Sequence, residues 1–311
     1  MAPSSQQPLP DRPLYGRGRF GEQLRRAVRR APATGLALSV LLLLGAALPL
    51  AGIGAEPRPK HQPVPASTQT PEMFRIVGCR SSGSNAYLSG PSRKQVAIGF
   101  DDGPAPDTPA FVTMLERSHA QATFFMIGEQ VSSTYRATLL RELRNGDVLG
   151  DHTFTHPELT RSREVRSQLQ RTIGVIDAVS GYSPCIFRPP YGAYNTEVVR
   201  TARSLGLATV LWNVDPSDYT QPGAATIVSR VLAQVRPGSI VISHDGGGPR
   251  GQTLAAYPTI ISSLRARGYQ IVTIPQLLGF RPIYVPCIRL CDGVGVTRLE
   301  LPRGAIVERA P

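Results

Sequence analysis

Short apolar runs alternate with helical patterns between residues 95 and 274, and this alternation limits the fold more than any other feature of the sequence. The spacing of apolar residues predicts helices between the runs, for example over residues 162–180. Alternation of this kind is typical of βα units around a parallel sheet, which can close into a barrel. We therefore predict an α/β fold, a distorted (β/α) barrel of about seven parallel strands. The predicted strands are residues 95–100, 122–128, 147–150, 185–187, 207–214, 239–244 and 269–274.

Ionisable side chains follow several of these predicted strands, at the point where each strand ends. In an α/β barrel the carboxyl ends of the parallel strands share one face, and that face holds the active site. We therefore expect these residues to converge in space, although they are far apart in the sequence. They are Asp101 and Asp102 after the first strand, His152 and His156 after the third, Arg188 after the fourth, Asp215 after the fifth and His244 after the sixth.

The segment FDDGP, residues 100–104, places two carboxylates side by side at the first of these strand ends. One of them can bind a metal ion while the other stays free to act as a base. The same residues are also typical of a turn that caps the following helix. The segment HTFTH, residues 152–156, is equally ambiguous by itself, because two histidines at this spacing can simply lie on a protein surface.

Taken together, the two segments supply the ligands of a catalytic metal site. One aspartate and two histidines suit zinc, and a catalytic zinc site keeps a further position open for water. Zinc lowers the pKa of that water to about 7, which provides a nucleophile at neutral pH. The combination therefore favours hydrolytic chemistry.

The other strand-end residues have catalytic interpretations of their own. His244 precedes the flexible segment DGGG, where an imidazole can protonate a leaving group, although a structural histidine is an equal alternative. Arg188 and Asp215 carry opposite charges, so a pair between them would orient neighbouring catalytic groups. The alternative is an ordinary structural salt bridge.

Five motifs occur in the order found in one known family. They are FDDGP, HTFTH, RPPYG, DPSDY and ISH. In this order they resemble the motifs of the polysaccharide deacetylases, the NodB-homology group within carbohydrate esterase family four. The resemblance covers roughly residues 94–280, and ATFFMIG and GDVLGDHTFTHPEL also read like sequences of that family.

The resemblance implies a role for each matching residue. Asp101 would be the base that activates water, and His244 the acid that protonates the departing amine. Zinc, or another divalent ion such as Co²⁺, would be the cofactor. The remaining implied roles are metal binding by Asp102, His152 and His156, oxyanion stabilisation by the backbone N–H of Tyr191, orientation of Asp101 by Arg188, and tuning of His244 by Asp215.

The sequence departs from the family pattern at two positions in the groove. Tyr219 stands at the end of the fourth motif, where the family usually has Trp, so an aromatic wall of the groove is changed. Ile242 begins the fifth motif in place of the usual Leu, which is a mild change in an apolar pocket. Every position implied in metal binding or proton transfer is intact, so we expect an active enzyme.

The N-terminal region predicts export. RRAVRR, residues 25–30, precedes a stretch without charged residues over residues 31–55. Its length and composition suit a membrane-spanning helix, and the preceding arginines would keep that end in the cytoplasm. A signal peptide cleaved near the small residues of GIGA is the alternative. Both interpretations predict a catalytic domain outside the cytoplasm, anchored by a single span or secreted.

These features predict five regions along the chain. They are a cytoplasmic basic N-terminus (1–34), a transmembrane anchor or signal peptide (35–55), a Pro-rich linker and irregular lead-in (56–93), a polysaccharide deacetylase catalytic domain (94–280) and a C-terminal tail (281–311). The tail contains Cys287 and Cys291, which are close in sequence and are the predicted disulfide pair of a short hairpin.

The distribution of charge and the predicted export limit the classes of molecule that the protein can bind. The formal net charge of +12 is concentrated before residue 96, so the predicted barrel is only mildly basic and a nucleic-acid partner is not expected. We predict a monomer that removes N-acetyl groups from a cell-surface polysaccharide, either peptidoglycan or a chitooligosaccharide-like glycan. The alternatives are an ester substrate such as acetyl xylan, a small amide, and a non-catalytic glycan-binding protein on the same fold.

Overall fold

The computed structural model describes residues 73–81, 86–287, 295–298, 301 and 304–308. The basic N-terminus and the predicted membrane or signal segment lie outside these residues. Among the helices that are described, none has both the length and the apolar character needed to cross a bilayer.

Eleven strands are described in these residues. They are β1 (Met73–Arg80), β2 (Gln95–Gly103), β3 (Thr123–Met126), β4 (Val148–Asp151), β5 (Ile186–Phe187), β6 (Ala208–Thr209), β7 (Ser239–His244), β8 (Gln270–Val272), β9 (Arg281–Pro286), β10 (Gly295–Thr297) and β11 (Ile306–Val307). The described α-helices are α1 (Thr108–Arg117), α2 (Arg136–Asn145), α3 (Val165–Ser180), α4 (Thr196–Ser204), α5 (Ala224–Gln234), α6 (Gly251–Ala266) and α7 (Ile274–Leu278).

Strands β2 to β8 form one parallel sheet of seven strands, which confirms the predicted distorted (β/α) barrel. Six of them follow the order β6-β5-β4-β3-β2-β7, and β8 also pairs with β2. Beyond β6 the chain returns to β7 through a parallel bridge between Val214 and Val241, so the sheet curls round. The carboxyl ends of the strands consequently gather at one end of the curled sheet.

The core lies between this sheet and its helices. Val96, Ala97 and Ile98 of β2 are fully buried, as expected for a central parallel strand that is covered on both faces. Phe100, two residues further along β2, is also buried and packs edge-on against Phe111 of α1 and Tyr257 of α6, with ring centroids 5.0 and 4.8 Å apart. This aromatic cluster fixes the end of β2 directly before the two aspartates.

The lead-in differs from its predicted form. Residues 73–80, expected to be irregular, form strand β1, and β1 lies between β10 and β9 in a second sheet of order β10-β1-β9-β11. In the described part of the tail, β9 and β10 each pair antiparallel with β1, and residues 288–294, where the predicted hairpin would turn, lie outside the described residues. Neither partner could be found from local sequence, since the pairing joins opposite ends of the described chain.

A disulfide between Cys79 and Cys185 joins β1 to the residue before β5. Neither cysteine has a partner that could be predicted from the sequence. Cys287 is also in a disulfide, and its expected partner Cys291 lies outside the described residues. The Cys79–Cys185 bond therefore fastens the second sheet to the barrel covalently.

Replacing both Cys79 and Cys185 with Ala should lower the free energy of unfolding by roughly 2–5 kcal/mol, because the bond closes a long loop in the unfolded chain. Urea unfolding followed by circular dichroism measures the change. A matched variant with Ala at Cys287 and Cys291, the pair predicted from the sequence, would open a much shorter loop and should lose less. Equal midpoints for the wild type and the Cys79/Cys185 variant would contradict the assigned contribution.

Candidate active site

The two aspartates of FDDGP point to different partners because the backbone changes direction between them. Asp101 continues β2 in extended pairing with His244 of β7, whereas Asp102 adopts a left-handed conformation with φ of 71°. This conformation is unfavourable for a residue with a Cβ and is often found at functional sites. A side chain at Gly246 would collide with the Asp102 carbonyl, so a glycine is required beside this turn.

HTFTH forms a loop and not a helical turn. Thr153 and His156 both have left-handed backbones, with φ of 67° and 57°. The buried Asp151 carboxylate accepts the Thr153 N–H at 2.7 Å, and the Thr153 hydroxyl accepts the His156 N–H at 3.0 Å. The side-chain oxygen of Gln168 on α3 accepts two further N–H groups of the loop. These bonds hold both histidines in place after β4.

Asp102, His152 and His156 form the one group of potential metal ligands found among the described residues, with ligand atoms within 4.8 Å of one another. The His152 Nδ1 lies 2.7 Å from the Arg188 carbonyl. A carbonyl can only accept, so Nδ1 carries a hydrogen and a neutral His152 presents the Nε2 lone pair. That Nε2 lies 3.4 Å from Asp102 Oδ1, and His156 Nε2 lies 3.3 Å from the same oxygen.

The donor set therefore fits a divalent cation. Asp102 Oδ1 is buried and has no hydrogen-bond partner by geometry. An oxygen that faces imidazole lone pairs repels them unless a proton or a cation lies between the groups. Two imidazoles and a carboxylate are the ligand types of catalytic zinc sites.

The charges around the cluster keep its groups in metal-binding form. Burial by itself would raise the pKa of Asp102, but the surrounding histidines, His152 first, outweigh burial and hold this pKa well below its usual range. Burial, together with the nearby His152, lowers the pKa of His156 despite the opposing aspartate charges. At neutral pH the site thus offers a carboxylate and a neutral imidazole.

Arg188 is fully buried and holds Asp101. Its Nη1 donates to Asp101 Oδ1 at 2.7 Å, and its guanidinium lies 4.1 Å from the centre of the Phe125 ring. A Cβ at Gly99 would lie 2.6 Å from Nη1, so only glycine leaves room for this side chain. The other Asp101 oxygen lies 3.9 Å from His152 Nε2. The Asp101 carboxylate is therefore next to the ligand cluster but is not one of its members.

The partner of His244 is Asp218 and not Asp215. The Asp218 carboxylate lies 2.8 Å from His244 Nδ1 and also accepts the His244 backbone N–H at 3.0 Å. Asp215 instead accepts the Ser217 N–H, and the pair suggested between Arg188 and Asp215 is replaced by the Arg188–Asp101 pair. Asp218 takes this position because Ser217, the residue before it, has a left-handed backbone conformation.

Asp218 favours the protonated form of His244. Burial acts to lower the pKa of His244, but the hydrogen bond and charge of Asp218 outweigh burial and raise the pKa above its ordinary value. Thr253 donates to the other Asp218 oxygen at 2.8 Å and fixes the carboxylate. His244 is therefore suited to carry a proton near neutral pH.

Two exposed tyrosines flank the cluster, while the third groove residue is covered. Tyr191 is 71% exposed, and its hydroxyl lies 3.2 Å from His156 Nδ1. Tyr219 is 56% exposed, with its ring centroid 5.8 Å from that of His244. Ile242 is buried within β7. The Tyr191 ring thus lies beside His156 of the ligand cluster, and the Tyr219 ring lies beside His244.

Three supporting residues of the site were not predicted from the sequence. Asp218 carries a visible signal, since DPSDY contains a second aspartate. Asp245 directly follows His244 and is buried, which raises its pKa to about 7, and it accepts the Thr108 hydroxyl. Gln168 lies in the first turn of α3, and nothing in its local sequence indicates that it supports the histidine loop.

Comparisons with known proteins agree with this arrangement. Residues 89–210 match the family described as polysaccharide deacetylase. The peptidoglycan-N-acetylglucosamine deacetylase of Bacillus cereus is 38% identical over 199 residues, which cover 61% of this chain and 91% of the relative. A chitooligosaccharide deacetylase of Bradyrhizobium is 38% identical over 200 residues, covering 59% and 90%. The solved structure of a peptidoglycan N-acetylglucosamine deacetylase with a bound benzamide matches with a TM-score of 0.60 and 32% identity, covering 62% and 92%.

Replacing His156 with Asn should weaken metal binding by more than the roughly 10-fold to 100-fold that losing a supporting residue costs. Asn tolerates the left-handed backbone, so the change removes the ligand without adding strain. His119 is exposed and also left-handed, with φ of 48°, and His119→Asn is the matched control. Zinc titration with elemental analysis measures both variants. Equal zinc affinity in both would exclude His156 as a ligand.

Replacing Asp218 with Asn should lower the pKa of His244, because the charge that stabilises the imidazolium is removed. The protonated form would then be lost at lower pH than in the wild type. NMR titration of the His244 ring measures this shift directly. Asp215→Asn is the matched control and should change the pKa less. A larger shift in the Asp215 variant would restore the original assignment.

Proposed function

The chain belongs to the polysaccharide deacetylase family and is an enzyme of that class, and we propose that it uses a divalent metal to hydrolyse N-acetyl groups on a cell-surface glycan. The observation that carries this proposal is the cluster of Asp102, His152 and His156 beside Asp101 and His244. Hydrolysis of an acetamide needs a base, an acid and a stabilised oxyanion, and each has a candidate here.

Asp102, His152 and His156 would hold the metal ion. A divalent ion in this position supplies a Lewis acid and lowers the pKa of water. Zinc is the first candidate, because two imidazoles and one carboxylate are its common catalytic ligands, and Co²⁺ is a second. Arg188 would orient one of these ligands. Its backbone carbonyl accepts the hydrogen on His152 Nδ1, which leaves Nε2 free to bind the metal ion.

Asp101 is the proposed base and His244 the proposed acid. Asp101 takes a proton from water as the water oxygen bonds to the acetyl carbonyl carbon. The carbon–nitrogen bond then breaks, and His244 donates its proton to the departing amine nitrogen. The products are acetate and the free amino sugar, so one water molecule is consumed for each acetyl group.

The supporting residues orient these two groups. Arg188 holds Asp101 through a buried hydrogen bond of 2.7 Å, and Asp218 holds His244 and favours its protonated form. The backbone N–H of Tyr191 is the proposed donor to the oxyanion. Tyr191 itself adopts a left-handed conformation with φ of 60°, and such strain is often retained where a backbone group has a function.

An N-acetylated glycan is the substrate class that we propose. The matched relatives are named for peptidoglycan and for chitooligosaccharides, and both contain N-acetylated sugars. The exposed faces of Tyr191 and Tyr219 provide walls against which sugar rings can pack. A non-catalytic glycan-binding role is less well supported, since every position proposed to bind metal or move a proton is occupied by a suitable residue.

We further propose that the domain works outside the cytoplasm. The uncharged segment at residues 31–55 would either anchor the chain or be removed as a signal peptide. The Cys79–Cys185 disulfide agrees with export, because such bonds persist in oxidising compartments. A monomer suffices, since all the proposed catalytic residues come from one chain.

The wild-type protein, loaded with zinc, should release acetate from N-acetylglucosamine oligomers. Asp101→Asn should lower kcat by roughly 10²-fold to 10⁴-fold, the usual contribution of a general base, while zinc affinity is kept. Acetate release and zinc titration measure the two properties separately.

The matched control is Asp177→Asn, which changes an exposed aspartate of α3 and should leave both properties unaltered. Loss of zinc from the Asp101 variant would mean that Asp101 is a ligand and not the base. Failure of the zinc-loaded wild type to release acetate from any N-acetylated glycan would overturn the proposed function.

A further inference from the structure

Exposed cations gather at the amino ends of β2, β7 and β8, the end of the barrel opposite the ligand cluster. In a parallel α/β barrel each helix runs back against the strands, so the carboxyl ends of the helices also lie at this end. Six exposed side chains, which we call the basic face, share this position. They are Arg93 and Lys94 before β2, Arg117 at the end of α1, Arg236 before β7, and Arg265 and Arg267 around the end of α6.

Contacts between neighbouring elements bring these six positions together. The Lys94 ammonium lies 5.1 Å from the centre of the Tyr269 ring, which follows α6. Arg267 donates to a backbone carbonyl near the end of α5 at 2.6 Å, and Arg236 follows α5 two residues later. Arg265 donates to the two carbonyls directly after α1, at 2.5 and 2.6 Å. The cations therefore form one continuous patch.

Helix capping explains the positions of three of these cations but leaves their charge uncompensated. Arg236, Arg265 and Arg267 donate to backbone carbonyls at helix ends, a common role for basic side chains. Carbonyls are neutral, so the positive charges remain. Within the described residues, no carboxylate is ion-paired with a member of the basic face. The segments that form this end contain no Asp or Glu, and they are residues 86–95, 117–122, 232–239 and 262–270.

The other end of the barrel has the opposite charge. Its carboxylates lie at or beyond the carboxyl ends of the strands, and they are Asp101, Asp102, Asp215, Asp218 and Asp245. The barrel is only mildly basic as a whole, so positive and negative groups are separated between its two ends. A surface that carries charge of one sign attracts a partner surface of the other sign. The basic face therefore fits an anionic partner, whereas the active-site end does not.

The chain enters the barrel from the end that carries the basic face. Gly78 of β1 forms a parallel bridge with Ser183, which precedes β5. Because β1 runs in the same direction as β5 at this bridge, the earlier residues of β1, back to Met73, extend away from the carboxyl ends of the strands. Residues 1–72 precede Met73 and include the uncharged segment at 31–55. A membrane bound by that segment would approach the barrel from the same side.

A tether to a bilayer would make even weak contacts of the basic face effective. Residues 56–72 connect the uncharged segment to β1 and span at most about 60 Å when fully extended. A tether of this length gives the basic face a high effective concentration at the bilayer surface. Each Lys or Arg close to an anionic lipid surface strengthens binding roughly fivefold. Six such side chains are therefore enough to hold the domain against anionic headgroups.

We propose that the basic face docks on the anionic phospholipid headgroups of the membrane beside which the domain works. Docking directs the ligand cluster, at the far end of the barrel, away from the bilayer and toward the glycan. The inference goes beyond the proposed hydrolysis and rests only on the proposed location outside the cytoplasm, so its test needs no turnover.

Arginine-directed labelling of the full chain tests this docking. The protein is reconstituted in nanodiscs of phosphatidylcholine, with or without phosphatidylglycerol, and modification by phenylglyoxal is quantified by mass spectrometry at low extents of reaction. Arg236, Arg265 and Arg267 should each react roughly 10-fold more slowly on the anionic discs. Arg161 and Arg163, which are exposed before α3 at the active-site end, should react equally on both. Salt at 1 M should remove the difference, because it shortens the Debye length to about 3 Å.

A matched pair of variants isolates the charge of the basic face. Arg93→Gln/Arg117→Gln should weaken docking by about 25-fold, fivefold for each charge. The arginines that remain in the basic face should then react on anionic discs nearly as fast as on neutral ones. Arg161→Gln/Arg163→Gln removes the same charge from the other end and should keep the wild-type protection. Circular dichroism spectra that match the wild type verify that both variants are folded.

Three results would overturn the proposal. The first is equal labelling of the basic face on neutral and anionic discs. The second is equal slowing at Arg161 and Arg163, which would mean adsorption without a preferred face. The third is slowing by soluble poly(glycerol phosphate) on neutral discs that matches the effect of anionic lipid, which would assign the basic face to a wall polymer instead of a bilayer. Each result leaves the proposed hydrolysis untouched, because no step of it is measured.

Discussion

Arg188 connects the two halves of the active site from the interior of the barrel. Its guanidinium donates to Asp101, and its backbone carbonyl accepts from His152. A buried guanidinium is costly unless its charge is compensated, so Arg188 and Asp101 each require the other. The position of the proposed base is consequently fixed relative to a proposed metal ligand by a single residue.

This dependence extends into the fold. Gly99 leaves the space that the guanidinium occupies, and Phe125 provides the ring on which it rests. The parallel register between β2 and β7 then sets Asp101 opposite His244. The left-handed turn at Asp102 directs the next carboxylate away from Arg188 and toward the histidines. Acid, base and ligands thus acquire their positions from strand pairing and from a few strained residues.

Local sequence patterns predict the strands and helices that alternate along the chain. They do not predict contacts between residues that are far apart in the sequence. All seven barrel strands could be predicted, because apolar runs and helical spacing are local signals. The choice between Asp215 and Asp218 could not, since it depends on one left-handed residue, Ser217. Pairing of β1 with β9 and the Cys79–Cys185 bond join residues far apart in sequence, and no local pattern identifies such partners.

The second sheet has a consequence for how the chain is made. Arg75 of β1 pairs with Val285 of β9, so the first described strand finds this neighbour only after almost the whole domain has been synthesised. Contacts between such distant residues form slowly, because the ends of a long loop must first meet. Until then β1 presents an open edge to its surroundings. Synthesis and translocation both release the N-terminal part of the domain first. The edge of β1 therefore stays exposed for longer than the edges of the barrel strands.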